Sequence, residues 1–246
     1  MPRFRRLLVF ILLAAIALPA RGQPMPSAAE ALQKSIAYHG MAAWYGQHHR
    51  LTLKEIRPNG SDRSTVIDLE VGGSFAMRSE REGRLVEARV KGEDCTATID
   101  GSAAVPDDLK QRYRLSCDGL RWWHGYYGYL YGLPLKLTDP GTRLTDAAET
   151  TTFQNRDVLA LKVTYDAEVG ADTWYFYLDP ATYALVGCRF YHDESKNDGE
   201  YIVFEGEVVH EGLRLPKTRR WYTNADSTYL GADVIEAYVV PVPDGP

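Results

Sequence analysis

Between Thr173 and Tyr222 the chain reads TWYFYLDPATYALVGCRFYHDESKNDGEYIVFEGEVVHEGLRLPKTRRWY, four short runs rich in Tyr, Phe, Trp and Val. Asp179-Pro180, Asn197-Asp198-Gly199 and Gly212-Leu213-Arg214-Leu215-Pro216 divide them. Aromatic and β-branched residues suit a pleated, half-buried surface, and the dividers are turn formers. The stretch is expected to be a β-meander. In its first run Trp174, Phe176 and Leu178 project to one face and Tyr175 and Tyr177 to the other, so neither face is polar. In the second run Ala184, Val186, Cys188 and Phe190 are expected to share a face, alternating with Leu185, Gly187, Arg189 and Tyr191. A sheet that is apolar on both sides must be covered on both, or curl so that its inner face holds something.

The rest of the chain fits that frame. Ser27-Ala28-Ala29-Glu30 has the form of a capping box, and Leu32, Ile36, His39 and Ala43 follow at helical spacing. Gly40 ends this helix, with His39 expected as a C-terminal cap favoured by the helix dipole. From His48 the period changes to two: Leu51 and Leu53, then Val66, then Phe75 and Met77, then Val86, Ala88 and Val90. Turn signals at Pro58-Asn59-Gly60-Ser61, Gly72-Gly73, Glu82-Gly83 and Gly92-Glu93 give hairpin spacing, and Cys95 to Asp100 is expected as the last strand of this first meander. Between Pro106 and Pro140 the pattern breaks into two helices, at 107–115 and 120–130. The second carries WWHGYYGYLY, with Trp123, Tyr127 and Leu130 on one stripe and Trp122, Tyr126 and Tyr129 on the next. Strands resume at about 149–154, 158–166 and 231–240. The expected fold is mainly β, of the α+β kind: a strongly curved antiparallel sheet or half-open barrel, with an N-terminal helix and an inserted helical segment packed on its concave face.

Arg3, Arg5 and Arg6 precede an apolar run from Leu7 to Leu18, followed by Pro19 and the small-x-small pattern Ala20-Arg21-Gly22. This is the form of a secretory signal peptide over residues 1–22, cleaved near Gly22, which places the protein in the periplasm or outside the cell. Removing the leader's four arginines takes the formal charge from −5 to −9. So acidic a chain argues against nucleic acid and against adhesion to anionic membranes. Residues 23–246 read as a single curved-sheet domain. Of the three cysteines, Cys95 and Cys117 lie near turn-rich connections and are the expected pair in an oxidising compartment, while Cys188 sits inside a strand as a small core residue.

The element order and the turn Leu178-Asp179-Pro180-Ala181-Thr182 resemble the lipoprotein-carrier superfamily of LolA and LolB. YLYGLPLKLTDPGT (Tyr129 to Thr142) and FYHDESKNDGEYIVFEGE (Phe190 to Glu207) look like hallmark runs of a family of uncharacterised exported bacterial proteins, a domain of unknown function. The superfamily resemblance implies an incompletely closed sheet plugged by helices and a concave site for acyl chains. It brings no named functional residue and no reaction. Carriers of this kind have a mostly aliphatic lining, whereas this chain has 16 Tyr and 5 Trp, which leaves room for a ligand with polar groups.

The aromatic cluster is the least ordinary stretch. Trp122, Trp123, Tyr126, Tyr127 and Leu130, facing Trp174 and Phe176 of the sheet, either plug the concavity as core or line a ligand cavity in it. The expected partner is a hydrophobic or amphiphilic small molecule or lipid, with room for transient contact with envelope proteins or a membrane. The histidines carry no catalytic signature. His48 and His49 are adjacent on a strand and point to opposite faces. His192, Asp193, Glu194, Asp198 and Glu200 sit in or beside a hairpin, at spacings that match no metal-binding signature. Nucleophile-elbow, phosphate-loop, His-Glu-x-x-His and Cys-x-x-Cys motifs are missing, so no cofactor, metal site or catalytic residue is assigned. Two alternatives stay open: an envelope enzyme acting on a lipid or glycan through His192, Asp193 and Glu200, or a structural protein whose concavity its own side chains fill.

Overall fold

The computed structural model describes residues 25–241, so the leader and its cleavage point lie outside the described residues. In chain order the elements begin with α1 (Ala28–His39), β1 (His48–Ile56), β2 (Arg63–Glu70), β3 (Phe75–Arg81), β4 (Arg84–Lys91) and β5 (Asp94–Ile99). Then come α2 (Asp107–Tyr113), α3 (Cys117–Gly132), β6 (Thr142–Leu144), β7 (Glu149–Phe153) and β8 (Arg156–Tyr165). The second meander is β9 (Thr173–Leu178), β10 (Leu185–Tyr191), β11 (Glu200–His210), β12 (Leu213–Thr223) and β13 (Tyr229–Val239).

All thirteen strands form one antiparallel sheet in the order β5-β4-β3-β2-β1-β13-β12-β11-β10-β9-β8-β6, with β7 also paired to β8. The two meanders join where the last strand returns to the first, β13 beside β1. The terminal strands do not pair with each other, so the sheet is open. Strict alternation puts His49, Leu51, Leu53 and Glu55 of β1 on the buried side and exposes Arg50, Lys54 and the other outward positions to different degrees.

Helices cover that buried side. Ser27 caps α1 by accepting the Glu30 amide at 3.1 Å. Gly40 ends it in the left-handed region, φ 66°, where a Cβ would strike the Gly212 carbonyl. His39 is not the C-terminal cap of α1 that its place at the helix end suggests. Its Nδ1–H donates to the Arg214 carbonyl at 2.7 Å and its Nε2 accepts the Leu185 amide at 2.9 Å. Burial lowers its pKa, so the neutral ring ties α1 to β12 and β10.

Two other expectations change. In β10 a register shift between Leu185 and Gly187 breaks the alternation, so that Leu185 joins Cys188 in the inner core while Val186 packs on the outside. A Cβ on Gly187 would meet the ring of Phe153 and the Ile202 carbonyl, which explains the glycine. Helix α3 starts three residues earlier than its aromatic pattern suggests, because Ser116 caps it by accepting the Gly119 amide at 3.1 Å.

Cys95 and Cys117 are joined, Cα to Cα 5.4 Å, which fastens the start of α3 to β5; Cys188 is free and buried. With a sequence separation of 22, the cross-link restricts the unfolded chain by about 3 kcal/mol. Cys95→Ser/Cys117→Ser should lower the free energy of unfolding by about that amount in urea titration, and a reductant should bring the parent protein to the same midpoint.

Candidate functional site: a cavity beside the aromatic helix

The inner face of the sheet is crossed by a line of charge. Strand register places Phe204, Arg219, Asp233, Glu55 and Arg63 side by side on β11, β12, β13, β1 and β2. Arg219, Asp233 and Glu55 are all buried. Glu55 accepts hydrogen bonds from Arg63 and Thr65, and from Arg57 at 3.1 Å. Burial alone would raise its pKa, but the bonds and charge of Arg63 outweigh it and the carboxyl is held low. Asp233 is the opposite case. Burial first, then the neighbouring Glu55 charge, push it up to about 6, while Arg57 lies 3.8 Å away. Its Oδ1 is buried with no hydrogen bond.

Arg219 is fully enclosed. Its guanidinium lies 4.0 Å over the Tyr131 ring of α3 and donates to the Pro216 carbonyl at 2.8 Å, and burial lowers its pKa. The hydroxyls of Tyr127 and Tyr131 are also buried without a partner. The helix thus packs onto polar groups that it does not fully satisfy.

Beside this packed zone lies a cavity of about 760 Å³. Trp122, Tyr126, Tyr129 and Leu130 of α3 form one wall. The sheet supplies Trp174, Phe190, Glu200, Trp221, Leu230 and Asp233, one or two residues from each strand between β9 and β13. Arg57, Asp172 and His192 complete it. Trp174, Phe190 and Glu200 are directly opposite one another across β9, β10 and β11. Gly231, opposite Trp221, leaves the space into which the Arg57 side chain folds: a Cβ there would sit 3.0 Å from Nη1.

His192 Nδ1 lies 2.7 Å from Asp172 Oδ1, and this hydrogen bond raises the imidazole pKa. Glu200 is half-buried, and burial raises its pKa, opposed only in part by His192. Among the described residues its carboxylate has no hydrogen bond and no ion pair.

Of the seven aromatic and aliphatic residues singled out from sequence, Trp122, Tyr126, Leu130 and Trp174 line this cavity. The other three are packed elsewhere. Tyr127 is buried with its ring parallel to Phe75, and Phe176 is buried behind Trp174. Trp123 turns toward α2, its Nε1 donating to the Tyr113 carbonyl at 3.1 Å with the Arg81 guanidinium 5.0 Å over its ring. The trio His192, Asp193 and Glu200 is split: the first and last reach the cavity, while Asp193 accepts from Ser195 and pairs with Lys196. Among the described residues no group of three or more His, Cys, Asp or Glu is placed to hold a metal ion. Phe190, Trp221, Leu230, Asp172, Asp233 and Arg57 were not singled out. Phe190 and Trp221 could have been found as bulky residues on inward positions, and Asp233 as an acid inside the otherwise apolar run YLGADVI.

An open antiparallel sheet with a helix laid in its concavity is the LolA-like fold. A LolA superfamily protein from Nitrosomonas europaea shares it with a TM-score of 0.52 at 12% identity, over 90% of this chain and 96% of that one. A DUF1329 family protein from Desulfovibrio piger gives 0.50 at 10% identity, over 89% and 95%. The chain itself belongs to a family of unknown function, DUF6503, whose model matches residues 6–237. No curated protein matches it.

The Asp233 carboxyl gives a signed pH effect. Its folded pKa of about 6 exceeds the ordinary 3.8, so the folded state holds the proton more tightly. Its contribution to stability is full below about pH 4 and is lost as pH rises through about 6. Urea titrations from pH 4 to 7 should show the parent protein losing about 3 kcal/mol relative to Asp233→Asn over that window.

Proposed function

We propose that this is an exported protein that holds a hydrophobic or amphiphilic molecule, of the lipid or lipoprotein-acyl type, in the concavity beside α3. The observation that carries the reading is the cavity itself: about 760 Å³ walled by six aromatic rings that α3 does not fill. Exposed aromatic area of this kind is costly in water, and pockets of roughly 300–1,000 Å³ with a few oriented polar groups are the usual size for one small ligand. The fold shared with the Nitrosomonas LolA superfamily protein supports the reading, since it leaves a concavity open on the inner face of the sheet. The leader over residues 1–22 supports export to the periplasm or beyond, with residues 23–246 working as one unit. Among the described residues no helix is long and apolar enough to cross a membrane.

Native mass spectrometry of protein purified from its own host should show an apolar adduct, and a fluorescent apolar probe should be displaced by it. Trp122 is 44% exposed at the cavity wall, so Trp122→Ala should weaken probe binding by about tenfold while leaving the melting temperature nearly unchanged. Trp123→Ala should do the reverse, lowering stability by about 3 kcal/mol with binding retained in the folded fraction. Empty preparations together with a probe that does not bind the parent protein would refute the reading.

A further inference from the structure

The charges in the cavity are unevenly matched. Its lining has three carboxylates, Asp172, Glu200 and Asp233, against Arg57 and His192. Arg57 is already held by Glu55 at 3.1 Å, with Asp233 3.8 Å away, and His192 is held by Asp172 at 2.7 Å. Glu200 is left over. The contrast along its own strand is direct, because Glu205 pairs with Arg220 at 2.9 Å and Glu207 with Arg214 at 3.5 Å. Glu200 is half-buried and lines the cavity beside Phe190, its partner on the adjoining strand. A second acid faces the same space unsatisfied: Asp233 is 5% exposed and its Oδ1 has no hydrogen bond.

Resting on the reading of this cavity as a ligand site, we propose that it selects a cationic group, an ammonium or quaternary ammonium head, held by Glu200 among the rings of Trp174, Phe190 and Trp221. Three physical reasons converge. A carboxylate withdrawn from water without a partner is unfavourable, and a cation offsets that loss where a neutral group does not. The faces of indole and phenyl rings attract cations, and the attraction grows where water is excluded. An anionic head would meet Glu200 and Asp233 with Arg57 already committed to Glu55, so repulsion disfavours it.

The test uses four probes on the mature protein by calorimetry, below micelle formation: decyltrimethylammonium, decanol, decanoate and tetramethylammonium. Decyltrimethylammonium is expected to bind about tenfold or more tighter than decanol, with decanoate weakest. In Glu200→Gln the ammonium and the alcohol should fall within about twofold of each other. Tetramethylammonium binding as tightly as the chain-bearing cation would point to a free amine as the natural source, and would still support cation selection. Equal binding of the three decyl probes, a preference for decanoate, or an undiminished ammonium preference in Glu200→Gln would overturn the inference while leaving a ligand cavity in place. Binding of none of the four would remove the ligand site and the inference together. Should Glu200→Gln fail to fold, the ranking in the parent protein decides alone.

Discussion

Glu55 and Asp233 face each other in direct register on β1 and β13, two buried carboxylates at the seam where the two meanders meet. Like charges opposite one another on a sheet repel, and burial strengthens the repulsion. The seam holds because the pair is divided in character and flanked by base. Glu55 is fixed as an anion by Arg63 and Arg57, Asp233 is driven toward its protonated form, and Arg219 and Arg63 close the row on either side. A buried arrangement of this kind is weak evidence for extra stability, since desolvation consumes much of the Coulombic gain. What it does provide is register. A one-residue slip of β13 against β1 would send Asp233 to the outer face and leave Arg219 enclosed without it.

The helix above this row settles how much of the concavity remains. Helix α3 lies against β2, β4 and β5, fastened by the disulfide at its start and by Trp123 against α2. Its buried Leu120 and Tyr127 fill that half of the trough, Tyr127 against Phe75, while Tyr131 lies over Arg219 of β12. The adjacent stripe of Trp122, Tyr126 and Tyr129 turns toward β9 to β13 and meets open space. One helix therefore fills part of the trough with one face and walls an open cavity with the other.

Most strands and both ends of α1 were legible because their causes are local. Period-two alternation marks β1 to β5, Ser27 and Gly40 bracket α1, and Asp179 shapes the β9–β10 turn by accepting the amides of Ala181 and Thr182. What escaped depends on partners far away in sequence. The β10 bulge answers to Phe153 and Ile202, and His39 becomes a neutral strut only because Arg214 and Leu185 lie beside it. The charged row is hidden for a further reason: reading alternation treats an acid or arginine as outward, and Asp233, Glu55 and Arg219 all point in. Which side of the aromatic helix would face a cavity depended on where α3 is anchored, and neither the disulfide nor the Trp123 bond has a periodic signature.

Leaving a sheet unclosed exposes ladder groups that a second chain could extend. Here one of the two rims is β5, only six residues long, and its outer side is taken up at Ile99 by a bridge to Ser102. The same strand is stapled through Cys95 to the plug helix, and Arg121 of that helix reaches Glu93 just ahead of it. The cross-link therefore does more than restrict the unfolded chain: it ties the short rim strand to the helix laid in the trough, which resists its lifting away to pair with a second copy.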